Sequence, residues 1–168
     1  YDLKRLEELS NSLNLDLEIM IRFTPGIECH THEYIRTGSF DSKFGFGIEY
    51  LNILFDRIRN TKHLKLKGIH AHIGSQIFEL DPHKDLGEIM VNVILEAKKF
   101  GHDIQKLNVG GGLGIKYTEN DDPPSIYEWV ETISTSIVIA CKKHNLDLPT
   151  LMCEPGRSIV STAGITIY

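Results

Sequence analysis

Three times in this 168-residue chain an apolar, strand-like run stops in a cluster of glycine and polar residues. The clusters are Gly68-Ile69-His70-Ala71-His72-Ile73-Gly74-Ser75-Gln76, Leu107-Asn108-Val109-Gly110-Gly111-Gly112-Leu113-Gly114 and Cys153-Glu154-Pro155-Gly156-Arg157. After each one, directly or past a short loop, the chain begins a new segment. Polar groups are thereby gathered at the C-terminal ends of successive strands, where parallel α/β sheets and barrels build their sites. One such cluster is weak evidence. Three in one register describe the floor of a site.

The stretches between the clusters read as helices and strands in alternation. Leu3, Leu6, Leu9 and Leu13 recur at helical spacing over residues 2–13, and Leu17 to Phe23 reads as a buried strand stopped by Thr24-Pro25-Gly26. Residues 27–47 are polar, rich in glycine and histidine, and too long for an ordinary connection, which points to a functional loop. A helix is expected over 48–59, a strand over 66–73, a helix over 81–100 and a strand over 104–109. Ser125 is placed to cap a helix with Trp129, Val130, Ile133, Ile137, Ala140 and Cys141 on its inner stripe. A strand over 148–153 follows, and Ile165 is read as opening another. This rhythm is α/β, with an all-parallel sheet and helices outside. A complete (β/α)8 barrel needs roughly 250 residues, so about four units form a partial TIM-type barrel, an open arc. A doubly wound sheet is the structural alternative.

Composition excludes several function classes. The formal charge is −5 and the pI near 5.9, without the basic face that a nucleic-acid partner needs. The longest apolar runs are too short to cross a bilayer, so no membrane partner is expected. Cys29, Cys141 and Cys153 are odd in number and lack metal-ligand spacing, which suits reduced thiols in the cytoplasm, or in the plastid stroma were the source a plant. The sequence starts at Tyr1 and stops in an apolar run, so it is expected to be an internal piece of a larger enzyme.

Each cluster has a chemical and a plain structural reading. Gly110, Gly111 and Gly112 allow backbone N–H groups to converge on an anion such as phosphate, or simply permit a tight turn. Gly114 does not complete a dinucleotide fingerprint. His70 and His72, two apart on a strand, share a face; they suit a metal, a flat ring stacked on an aromatic ligand, or core packing. Ser75 can donate a hydroxyl to a phosphate. Glu154 and Arg157 can form a local ion pair, or serve a protonated ring nitrogen and a carboxylate or phosphate respectively. A phosphate cradle, a ring-stacking face and a carboxylate for a pyridinium nitrogen together describe a pyridoxal phosphate site.

The ordered motifs His70-Ala71-His72-Ile73-Gly74-Ser75-Gln76, Gly110-Gly111-Gly112 and Glu154-Pro155-Gly156-Arg157 resemble those of the diaminopimelate decarboxylases. So do Thr31-His32-Glu33-Tyr34-Ile35-Arg36-Thr37-Gly38 and Asp41-Ser42-Lys43-Phe44-Gly45. The resemblance covers nearly the whole chain and extends to the barrel-type ornithine and arginine decarboxylases, the Ile-Gly-Ser-Gln form favouring the diaminopimelate branch. It implies an alanine-racemase-like barrel that binds pyridoxal 5'-phosphate and turns meso-diaminopimelate into L-lysine and carbon dioxide. It further implies that His72 stacks on the cofactor ring, Ser75 and Gly110 to Gly112 hold its phosphate, and Glu154 pairs with the pyridine nitrogen. Gly156 contributes backbone to the phosphate site, and Arg157 binds phosphate or a substrate carboxylate. The parent is expected to be a homodimer.

The same resemblance implies that residues 1–168 are part of the cofactor-binding barrel domain, lacking the first strand and a C-terminal β-domain. The lysine that bonds to the cofactor then lies upstream of Tyr1, Lys43 being read as structural or at an interface. No residue of this chain is assigned the covalent catalytic role, and the piece alone is expected to be inactive. The rival readings are a barrel decarboxylase for ornithine, arginine or carboxynorspermidine, a metal-dependent barrel hydrolase using His70, His72, His30 and His32, and a non-enzymatic pyridoxal phosphate carrier.

Overall fold

The computed structural model describes residues 2–27, 44–165 and 167. In chain order the elements are α1 (Asp2–Leu13), β1 (Leu17–Thr24), β2 (Phe46–Gly47), a 3-10 turn (Ile48–Tyr50), α2 (Leu51–Arg59), β3 (Leu64–His70) and α3 (Asp81–Lys99). They continue with β4 (Lys106–Asn108), α4 (Ile126–Lys143), β5 (Thr150–Met152), α5 (Arg157–Val160) and a second 3-10 turn (Ser161–Ala163). All five strands are parallel, in the order β2-β1-β3-β4-β5.

That order by itself also fits one doubly wound arrangement. The helices separate the two. With the two-residue β2 set aside, β1, β3, β4 and β5 follow one another in one direction, and right-handed crossovers then put α2, α3 and α4 on one face. Contacts agree: Arg57 of α2 meets Glu7 of α1 at 3.2 Å, and α3 packs on both α2 and α4. Four helices in a row on one side of a parallel sheet make an arc of a barrel.

Strand alternation divides the sheet's two faces. Ile21, Ile69, Leu107 and Leu151 align across the strands, and the first three are buried in the core beneath the helices. Next along, the aligned row is Arg22, His70, Asn108 and Met152, on the opposite face. A further ion pair, Lys106 to Glu18 at 3.2 Å, lies across β4 and β1. The helix-side core is thus apolar, while the other face carries polar groups up to the strand ends.

Helix α4 begins as expected: the Ser125 hydroxyl accepts from the Glu128 N–H, and the Glu128 carboxylate accepts from the Ser125 N–H at 2.8 Å. Its expected stripe is only partly right, because Val130 is exposed. In α1, likewise, Leu3 is buried while Leu6, Leu9 and Leu13 are exposed. Both helices flank the row and, among the described residues, have a helical neighbour on one side only. α2 and α3, with neighbours on both sides, bury their stripes.

Other boundaries also move. β3 starts two residues before the expected 66 and ends at His70, so His72 lies past the ladder and its position does not follow from strand alternation. β4 and β5 are shorter than expected; Pro149 has no N–H to give, so pairing of β5 starts at Thr150, which donates to Gln105 O at 2.8 Å. Among the described residues no strand opens at Ile165. After β5 the chain forms α5 and the second 3-10 turn, and beyond them Ile165 is exposed outside regular structure. Of the long 27–47 connection, Phe46–Gly47 form the two-residue β2 against Phe23–Thr24. Residues 28–43, with Cys29, His30, His32, Lys43 and most of the Thr31–Gly45 motifs, lie outside the described residues.

Candidate active site

The ends of β3, β4 and β5 meet, and backbone geometry explains why glycine is required there. Gly110 has φ +67°, and a Cβ on it would come within 2.7 Å of His72 Nδ1 and 2.9 Å of the Ala71 carbonyl. A Cβ on Gly111 would run into the carbonyl oxygen of Glu154. The Glu154 N–H donates to Gly110 O at 2.6 Å, which ties the end of β5 onto the glycine turn. The triplet is therefore demanded by close approach of three strand ends.

Hydrogen bonds then orient the polar side chains. Asn108 donates from Nδ2 to Glu154 Oε1 at 2.7 Å and accepts from the Gly110 N–H on Oδ1 at 2.9 Å. Both ends of its buried amide are used, so its orientation is fixed and it aims the carboxylate. Gly111 N–H donates to His72 Nδ1 at 3.2 Å. A backbone N–H can only donate, so Nδ1 is bare, and the proton of neutral His72 sits on Nε2. Burial, helped by the positive charge of Arg22 and by His70, holds the His72 pKa below its usual value and keeps the ring neutral.

His70 lies 3.9 Å from Glu154 through Nε2, beyond hydrogen-bond reach. Burial lowers its pKa more than Glu154 raises it, so this is not an ion pair near neutrality. Arg157 instead donates from Nε to Ser75 Oγ at 3.1 Å and from Nη1 to Tyr117 OH at 2.6 Å. The alternative reading of Glu154 and Arg157 as a local ion pair has no counterpart among the ion pairs of the described residues. Behind the glycine turn sits His83, 1% exposed, its ring set edge-on to Trp129 at 5.7 Å. Desolvation, with a smaller effect of His72, pushes its pKa down to about 4. Neither of its ring nitrogens has a hydrogen-bond partner among the described residues.

The structure thus brings His72, Ser75, Gly110, Gly111, Gly112, Glu154 and Arg157 to one end of the sheet. Gly156 lies beside them but in open surroundings, with nothing within 4 Å of an added Cβ. The expected convergence of three glycine N–H groups is altered: those of Gly110 and Gly111 bond to Asn108 and His72, leaving that of Gly112 without a partner among the described residues. Asn108, Gln76 and Tyr117 were not assigned roles from sequence. A polar, buried Asn108 at a strand end was the available signal.

Pyridoxal phosphate fits this donor set. His72 offers a neutral flat ring, Glu154 a carboxylate with one oxygen already fixed by Asn108, and Ser75, Gly112 and Arg157 offer N–H or O–H groups to an oxyanion. Among the described residues no group of three His, Cys, Asp or Glu side chains could hold a metal ion.

Fold and site together define a parallel barrel arc with a cofactor floor at its strand ends. Residues 1–161 match the family of pyridoxal-dependent decarboxylases, in its pyridoxal binding domain, and the chain belongs to that family. It is 50% identical over 167 residues to diaminopimelate decarboxylase of Synechocystis sp., covering 99% of this chain and 36% of the relative. It is 40% identical over 168 residues to the diaminopimelate decarboxylase of Staphylococcus aureus, covering 99% of this chain and 39% of that one. The crystal structure of diaminopimelate decarboxylase from Helicobacter pylori complexed with L-lysine superposes with a TM-score of 0.84 at 32% identity, covering 95% of this chain and 38% of that one. The chain therefore spans well under half the length of these relatives.

Proposed function

We propose that this chain forms the cofactor floor of an enzyme that decarboxylates meso-diaminopimelate to L-lysine and carbon dioxide. The observation that carries the reading is the Asn108 bridge, which holds Glu154 beside the glycine turn that also fixes His72. The identities to diaminopimelate decarboxylases support the choice of substrate.

Pyridoxal phosphate, when bound, supplies a protonated ring that accepts the electron pair left as the substrate carboxylate departs. Glu154 stabilises the proton on the ring nitrogen, since a fixed carboxylate favours an adjacent positive charge. Asn108 keeps that carboxylate aimed. His72 presents an uncharged face, so it packs against the ring without competing for its charge. Ser75, the N–H of Gly112 and the backbone at Gly156 serve the phosphate, and Arg157 binds phosphate or a substrate carboxylate. A homodimer in the cytoplasm remains part of the proposal, supported by the family resemblance and tested by light scattering of the full-length protein.

The deciding experiment supplies a full-length protein carrying this chain with pyridoxal phosphate and meso-diaminopimelate, ornithine or arginine in turn. Release of carbon dioxide with L-lysine from the first substrate alone is expected. Preferential turnover of ornithine or arginine would assign the site to another decarboxylase.

A further inference from the structure

Gln76 touches none of the cofactor-binding residues itself, yet it is built into the arm that carries Tyr117 to Arg157. Gln76 has φ +58°, a left-handed value uncommon for a residue with a long side chain. Its amide grips a single distant residue: Nε2 donates to Ile115 O at 2.7 Å, and Oε1 accepts from Ile115 N at 3.1 Å. Two residues on, the loop is closed from its other side. Asp121 Oδ2 accepts from the N–H of Thr118 at 2.7 Å and of Tyr117 at 2.9 Å, and these bonds hold its pKa below the usual carboxylate value.

Tyr117 is therefore set by backbone anchors before and after it. Its hydroxyl accepts from Arg157 Nη1 at 2.6 Å, while Ser75 Oγ accepts from Arg157 Nε at 3.1 Å. Two fixed acceptors on different nitrogens define the plane of the guanidinium. Of its five N–H groups, three are left among the described residues, two on Nη2 and one on Nη1. That is the two-pronged donor that suits an oxyanion.

We infer that Tyr117, anchored by Gln76 and Asp121, is a positioning residue that orients Arg157 toward an oxyanion, either a cofactor phosphate or a substrate carboxylate. The inference rests on Arg157 being an anion-binding residue of the proposed site. Tyr117 is largely exposed, so losing its hydroxyl should affect the aim of Arg157 far more than the stability of the fold.

The test compares Tyr117→Phe with Arg157→Lys in a full-length protein carrying this chain. Affinities for pyridoxal phosphate and for pyridoxal, which lacks the phosphate, are read by cofactor absorbance, and KM and kcat are measured alongside. If Arg157 meets the phosphate, Tyr117→Phe weakens pyridoxal phosphate binding by about 3- to 10-fold and leaves pyridoxal binding unchanged. If Arg157 meets a substrate carboxylate, KM rises by about the same factor while kcat and both cofactor affinities hold. Either result supports the inference. Unchanged constants overturn it, as does an equal loss of both cofactor affinities with a lower Tm. Should Arg157→Lys also change nothing, the reading of Arg157 itself has failed; if only Arg157→Lys has an effect, the failure is confined to Tyr117.

Discussion

At the ends of β3 and β4 the floor of the site is held by backbone against backbone, whereas from Pro155 onward it is held by side chains. Gly110 and Gly111 leave no room for a Cβ, and the Glu154 N–H closes onto Gly110. Gly156, four residues past β5, sits in open space, and among the described residues Arg157 is tied down by Ser75, by Tyr117 and by the short helix it starts. The first region is preorganised by the fold. The second depends on polar side chains that can be changed singly, so it is where aim and specificity are adjustable at little cost in stability.

The contrast breaks most sharply on the glycines. Gly111→Ala is expected to destabilise by about 3 kcal/mol or more, because the obstacle is a backbone carbonyl that cannot swing aside. Urea unfolding of the full-length protein measures it, and a near-neutral result would mean the strand ends are not locked.

Acid should attack the same buried region nearly as strongly. An unfolded histidine takes its proton near pH 6.5, whereas folded His83 takes it only near 4. Stability is full above about 6.5, falls by about 3 kcal/mol as pH drops through that window, and loses no more from this group below 4. His70 and His72, also lowered, act in the same direction. Unfolding followed from pH 7 to 4 should show the slope, and His83→Gln should flatten it; an unchanged slope would place the acid sensitivity elsewhere.

Asn108→Ala comes next, with an expected loss of about 2 kcal/mol, since it strands the Gly110 N–H and frees the Glu154 carboxylate. Cofactor affinity should fall with it. Gly156→Ala is the small end of the series: its φ of −87° is ordinary and its surroundings are open, so the stability change should stay within about 0.5 kcal/mol. A large loss there would erase the difference between the two regions.

Much of the fold was legible because it depends on local pattern. The α3 stripe of Leu86, Met90, Val93 and Ala97 and the Ser125–Glu128 cap are written in residues three or four apart. What local pattern misses is lateral. Val130 lies on the helical stripe of α4, but its burial depends on a neighbouring helix, which among the described residues α4 has on one side only. His72 looked placed by strand alternation and is placed instead by a bond from Gly111, 39 positions away. Asn108, Gln76 and Tyr117 gain their roles only from partners 39 to 46 residues distant, a relation that no window along the chain contains. The glycine triplet was found for its chemistry, yet the close packing of three strand ends is what requires glycine there.

The most direct measurement is the pH-dependent absorbance of bound pyridoxal phosphate in a full-length protein carrying this chain, with Glu154 intact and as Glu154→Ala. With Glu154 in place the ring nitrogen should keep its proton through neutral pH. In Glu154→Ala the proton should be lost, shifting the absorbance and cutting decarboxylation. A spectrum and a rate unchanged by the substitution would contradict the assignment of Glu154 to the ring nitrogen, and with it the reading of the strand ends as one cofactor site.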